Sequence, residues 1–238
     1  IAIFSKQNKL VLDVLKERAK KLSCLTRIQG EDFRVQLMNS SLLFCNSKDK
    51  ISLPMPKLEG SHQLENAGVA IAALLELGCA EKHLSTAMKK VRWPGRLHRI
   101  TKGVISPNSL GFEAELFLDG GHNPSAGTAI SHWIKELPQG NFFLILGMMK
   151  NKNIAGFLEP LKSSIYKLIA VRIPEEINSL EPKTIVKTAT KLNIPSAIAS
   201  SIENALEVIK KDKSVLPKTI LIGGSLYLVG HCLKLNSS

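Results

Sequence analysis

Aromatic residues make up only 5% of this 238-residue chain. Single-stranded nucleic acids are held on basic stripes interleaved with exposed aromatics, so that scarcity argues against a nucleic-acid-binding protein despite a formal charge of +12. The lysines are spread through segments such as Lys16 to Lys21, Lys48 to Lys57 and Lys210 to Lys213 and form no single block. They read as solvated helix faces and loops, and the positive field reads as an attraction for anionic substrates. The four cysteines, Cys24, Cys45, Cys79 and Cys232, are far apart with no CxxC spacing, which excludes a zinc motif and a disulfide framework. A reduced, cytoplasmic compartment is expected. No apolar run reaches the roughly 18 to 20 residues of a membrane span, and no signal peptide is recognisable. A G-x-x-x-x-G-K-[ST] phosphate loop is also missing. The chain opens on Ile1-Ala2-Ile3-Phe4, a strand-like run without an initiator methionine, which leads us to expect a fragment entered partway through a sheet.

What is present is enough apolar residue, 44%, for a real core. The length suits one complete domain of about 140 residues plus part of another. Apolar positions from Asn8 to Leu22 recur at helical spacing, then short β-like pieces at Phe33 to Leu37 and Ser41 to Phe44 read as antiparallel strands on a sheet edge. Two helices are expected next, one through Ala67, Ile71 and Leu74 that Gly78 stops, the other from Glu81 to about Val91. Trp93-Pro94-Gly95-Arg96 has linker chemistry, because proline restricts its predecessor and glycine takes dihedrals closed to other residues. The domain boundary is therefore placed there, giving residues 1–95 and 96–238. An exposed hairpin or loop is expected from Gly103 to Glu113. Beyond it, nearly continuous apolar runs alternate with helices, which predicts an α/β domain with a mostly parallel, Rossmann-like sheet covered on both faces.

The stretch Phe117-Leu118-Asp119-Gly120-Gly121-His122-Asn123-Pro124 stands out, since an apolar strand stops at an acid, two glycines, a histidine and a helix-starting Asn-Pro. Ligands in open α/β sheets lie beyond the carboxyl ends of strands, where glycine permits close backbone approach and a helix start favours anions. An ordinary strand-to-helix turn is the plain alternative.

Other segments accompany this turn in a fixed order: Gly60-Ser61-His62-Gln63 with Asn66, Trp93-Pro94-Gly95-Arg96, Leu146-Gly147-Met148-Met149-Lys150-Asn151-Lys152-Asn153, and Gly223-Gly224-Ser225-Leu226-Tyr227-Leu228-Val229-Gly230. Each is weak alone. As an ordered set running from end to end, they resemble the Mur-ligase family in its folylpolyglutamate synthase and bifunctional dihydrofolate synthase branch. The resemblance implies that residues 1–95 are the last part of a P-loop-type central ATP-binding domain, without the P-loop, and that residues 96–238 are the Rossmann-like C-terminal domain. In that family the two domains hold ATP.

The implied activity is ATP-dependent ligation of L-glutamate to a folate, or to dihydropteroate. Phosphoryl transfer activates a carboxylate as an acyl phosphate, and the amine of glutamate attacks it, with positioning and Mg2+ supplying most of the catalysis. The family's carboxylated lysine and metal ligands would lie upstream of Ile1, so the chain alone is expected to be inactive and to contribute no metal ligand. The implied partners are ATP, the folate and glutamate; a separate chain carrying the N-terminal segment is a further one open to it, and a monomer without nucleic acid or membrane is expected. Residue by residue, the resemblance carries adenine reading to Asn66, a phosphate contact to Arg96, ribose hydroxyls to Asp119 and a catalytic place near the phosphates to His122. The ordinary readings are an exposed helix amide, a solvated linker arginine, a turn aspartate and a backbone-bonded histidine; Ser225 reads equally well as a ligand contact or a helix cap. Gly121 stands where many relatives carry alanine, which reads as a minor change. A catalytically inactive remnant, or a module binding a nucleotide or partner, is the competing function.

Overall fold

The computed structural model describes residues 1–138, 140–213 and 217–237. Its chain forms two compact units, Ile1–Arg92 and Trp93–Ser238.

In the first unit, β1 (Ala2–Phe4) and β2 (Thr26–Ile28) pair in parallel and are joined by α1 (Lys9–Lys21). Asn8 caps that helix, its Oδ1 accepting the Val11 N–H at 3.0 Å. The following strands, β3 (Phe33–Met38), β4 (Ser41–Asn46) and β5 (Lys50–Pro54), make an antiparallel sheet of their own. They are not the edge of a larger sheet, as the sequence pattern suggests, and the alternation of their side chains explains why. Phe33, Val35, Leu42, Phe44, Ile51 and Leu53 are buried on one face against α2 (His62–Glu76) and α3 (Glu81–Lys90), while Arg34, Gln36 and Ser52 on the other are exposed. One wet face and one packed face is the habit of an antiparallel sheet in a two-layer unit. Gly68 lets α2 lie close, since a Cβ there would stand 2.7 Å from Val35 Cγ1.

The second unit is built on a six-stranded sheet. Its members are β6 (His98–Arg99), β7 (Glu115–Asp119), β8 (Asn141–Leu146), β9 (Ile165–Ala170), β10 (Ser196–Ile198) and β11 (Lys218–Gly223), in the order β10-β9-β8-β11-β7-β6. All pairs are parallel except β6 with β7. Every residue of β11, and every residue of β8 beyond Asn141, is buried, as a strand covered on both faces requires. Side chains alternate between two clusters. Leu116, Leu118, Phe143, Ile145, Ile220 and Ile222 pack with α8 (Ile202–Lys211) and α9 (Leu226–Ser237). Phe117, Phe142, Leu144, Leu146 and Leu221 pack with α5 (Pro124–Glu136), α6 (Ile154–Leu158) and α7 (Pro182–Lys191). The result is the mostly parallel α/β fold expected from the alternating pattern.

The segment from Gly103 to Glu113 is neither a hairpin nor wholly exposed. It holds a short helix, α4 (Pro107–Leu110), capped by Ser106. Ile105 and Ser106 are 1% exposed, and Phe112 packs against the α8/α9 side of the sheet. The turn residues drew the sequence reading toward a loop; the two apolar side chains between them pull the segment inward.

Because β11 returns between β7 and β8, Gly223 lies in register with Asp119 on one side and with Leu146 on the other. Three carboxyl strand ends therefore sit side by side where the strand order reverses, which is the place where open α/β sheets bind ligands.

Candidate functional site

The strand-to-helix turn after β7 closes on the Asp119 carboxylate. Its Oδ1 accepts the Gly121 N–H at 2.7 Å, and its Oδ2 accepts the Leu97 N–H at 2.9 Å. The residue is 5% exposed. Carboxylates gripped by backbone N–H groups make the stronger, charge-assisted kind of hydrogen bond. Beside it, the Gly120 N–H donates to the Gly95 carbonyl at 2.8 Å. Arg96 is thus bracketed, with the residue before it tied to Gly120 and the residue after it tied to Asp119. Its own side chain is exposed and has no acid paired with it among the described residues.

Glycine is required at this junction for two different reasons. Gly95 has φ of +79°, and a Cβ there would stand 2.8 Å from Val229 Cγ1. Gly120 leaves room for the side chain of Leu226, whose Cγ would lie 2.9 Å from an added Cβ. The start of α9 is therefore the floor on which both segments rest. Gly121 is tight as well: a Cβ would meet Ala126 Cβ at 2.7 Å and Asp119 Oδ1 at 2.8 Å. The exchange of alanine for glycine here, read from sequence as minor, is instead a packing requirement of this turn.

His122 is half-buried, with Nδ1 2.9 Å from the Gly120 carbonyl oxygen. A carbonyl only accepts, so Nδ1 carries the proton and Nε2 is the acceptor nitrogen of the neutral ring. Asn123 caps α5, its Oδ1 accepting the Ala126 N–H at 2.9 Å, and Pro124 follows at the first helical position. Ser225, 2% exposed, accepts the Tyr227 N–H at 3.2 Å, which is the capping geometry.

Asn66 belongs to the first unit. It is exposed on α2, and its Nδ2 donates to Gln63 Oε1 at 3.2 Å. Gln63 Nε2 in turn lies 2.8 Å from His62 Nε2, so the glutamine amide is oriented by partners at both ends. One bond leaves Asn66 with a second N–H and its carbonyl oxygen, the donor and acceptor pair that reading a purine edge needs. The structure thus gathers Arg96, Asp119 and His122 into one corner of the second unit, and leaves Asn66 on the first. Sequence reasoning missed Leu97, Leu226 and Val229, which support that corner. Leu97 acts through its backbone, which has no signature in side-chain chemistry, whereas Gly95 and Gly120 were the only hint of close approach by α9. Among the described residues no group of three or more His, Cys, Asp or Glu side chains is placed to hold a metal ion.

A family model described as dihydrofolate synthetase, C-terminal domain, matches residues 107–235. Dihydrofolate synthetase of Saccharomyces cerevisiae is 26% identical over 246 residues, covering 96% of this chain and 55% of that protein. Among solved structures, Mycobacterium tuberculosis folylpolyglutamate synthase complexed with ADP superposes with a TM-score of 0.81 at 20% identity, covering 99% of this chain and 55% of that one. Escherichia coli FolC in complex with DHPP and ADP gives 0.79 at 21% identity, covering 94% and 50% respectively. The chain spans about half the length of the curated relatives it matches.

Proposed function

Since the chain belongs to the dihydrofolate synthetase C-terminal domain family, we propose that it is the later part of an ATP-dependent folate:L-glutamate ligase, of the folylpolyglutamate or dihydrofolate synthase type. Its share of the reaction is to hold the nucleotide. Arg96 offers a planar fork of donors to phosphate oxygens, and Asp119 accepts from ribose hydroxyls. A carboxylate carries about four acceptor positions, so two backbone donors and a ribose hydroxyl are compatible on one group. Asn66 reads the adenine edge. His122 takes the place near the phosphates, where a proton on Nε2 lets the ring donate to an oxygen of the transferred phosphoryl group.

The donor set present fits a nucleotide, with an unpaired guanidinium and glycine-rich backbone at a helix start. Among the described residues no three His, Cys, Asp or Glu side chains are grouped for a metal ion, so we take the oxygens for Mg2+ to come chiefly from the nucleotide and from outside this set. When bound, ATP supplies the phosphoryl group that activates the substrate carboxylate. The residues of this chain bind and orient it, and ligation by the chain alone is expected to be negligible.

The observation that carries this reading is the exposed Arg96 held beside Asp119 at the carboxyl ends of β7 and β11. ADP titration by calorimetry tests it. Saturable binding that weakens about tenfold or more in Arg96→Ala is expected, on the scale of a lost charge-assisted contact. Absence of saturable binding, or an Arg96→Ala chain that binds as well as the original, overturns it.

A further inference from the structure

The segment that carries Arg96 is held in a conformation it would not choose alone. Leu97 has φ of +42°, in the left-handed region that non-glycine residues rarely enter. Gly95, two residues earlier, has φ of +79°. The backbone therefore hooks twice around Arg96. A buried leucine in this region is strained and persists only where the surroundings over-determine it. Here they do: the Leu97 side chain is 1% exposed, and its N–H ends on Asp119 Oδ2. The Gly95 carbonyl is taken by Gly120, and His98 pairs with Leu118 on β7 immediately afterwards.

We infer that Asp119 is a positioning residue for Arg96: the carboxylate that closes its own turn through Gly121 also clasps Leu97, so the guanidinium is presented from the end of β7 on a fixed backbone. Arginine pays rotamer entropy whenever it is localised on an anion, and a fixed Cα removes the backbone part of that loss. Asp119 thereby strengthens Arg96 without touching the phosphate. A loose linker arginine, free to swing with residues upstream, would gain nothing from it. The structural half of this inference stands on the hydrogen bonds above; the ligand half rests on the nucleotide reading.

Two measurements separate these halves. The first is amide hydrogen exchange. In Asp119→Ala both acceptor oxygens are gone, so both backbone bonds are lost. Leu97 is expected to exchange at least about tenfold faster, the change that loss of one ordinary hydrogen bond produces. Unchanged exchange at Leu97 overturns the clasp. Should the variant fail to fold, the Leu97 and Gly121 amide signals of the original chain are followed during acidification. Both are expected to move together as the shared carboxylate protonates, and independent behaviour overturns it.

The second measurement is a double-mutant cycle on ADP affinity with Arg96→Ala and Asp119→Asn. If Asp119 acts through Arg96 as well as on the ribose, Asp119→Asn costs at least about threefold less affinity in the Arg96→Ala background than in the original chain. Losses that simply multiply mean that Asp119 acts on the ligand alone, and the positioning role is overturned. If the unmutated chain binds no ADP, the nucleotide reading falls while the exchange result still decides the clasp.

Discussion

Gly121 shows how little room the candidate site has. A methyl group at this position would crowd both Ala126 Cβ and the Asp119 oxygen that bonds the Gly121 N–H itself. Gly121→Ala is therefore expected to destabilise the second unit by about 1 to 3 kcal/mol, the usual cost of overpacking. It should also weaken ADP binding by pushing the carboxylate from its place. Chemical denaturation and calorimetry of the same variant measure the two effects. At this scale the sequence was partly legible. Asp119, Arg96 and His122 could be singled out because they stand in segments whose order resembles the Mur-ligase family, although each also has an ordinary structural reading. The bond between Asp119 and Leu97 could not, because it spans 22 residues and uses a backbone donor that every residue but proline possesses.

Among the elements, α9 has the least expected role. A helix closing an α/β sheet is ordinary, yet its first turns also carry Leu226 and Val229 beneath Gly120 and Gly95. Its inner face continues to Cys232, which is fully buried. Burial, with a smaller contribution from the charge of Glu203, pushes that thiol up from 9.0 to about 12. A thiol raised in the folded state stabilises below its unfolded value, and that contribution is lost as pH climbs from about 9 toward 12. Cys232→Ala should accordingly lose stability less steeply over that alkaline window than the unmutated chain. Native Cys232 should also resist thiol reagents, whereas the half-buried Cys24, Cys45 and Cys79 react first; mass spectrometry during labelling distinguishes them. Periodicity disclosed that α9 exists. It could not disclose which turn touches which loop, since both partners are glycines and leave no apolar mark.

For the molecule as a whole, the alternation of apolar runs and helices was enough to read the parallel sheet, because strands buried on both faces have nearly unbroken apolar sequence. The register that puts β11 between β7 and β8 was not readable, since any of these strands satisfies the same pattern. The two units divide between Arg92 and Trp93, ahead of the boundary after Gly95 that linker chemistry suggests; Pro94 and Gly95 both belong to the second unit, with Gly95 tied into it by its carbonyl. That unit has its own apolar clusters on both sheet faces. A fragment of residues 93–238 is expected to fold by itself, with near-native circular dichroism and one cooperative thermal transition, and the full chain should show a second transition from residues 1–92. A fragment that precipitates or melts without cooperativity contradicts this.

The six-stranded sheet ends in β10 on one side and β6 on the other, strands of three and two residues. Unpaired rows of N–H and C=O groups recruit strands from other molecules, and the longer the row the stronger the template. Here the long strands, β8, β9 and β11, all lie inside, and what faces outward is too brief for stable pairing. The apolar sequence that makes β8 and β11 such good strands is thereby kept from nucleating fibrils, so this unit should remain dispersed at concentrations where an equally apolar sheet with long open margins would aggregate.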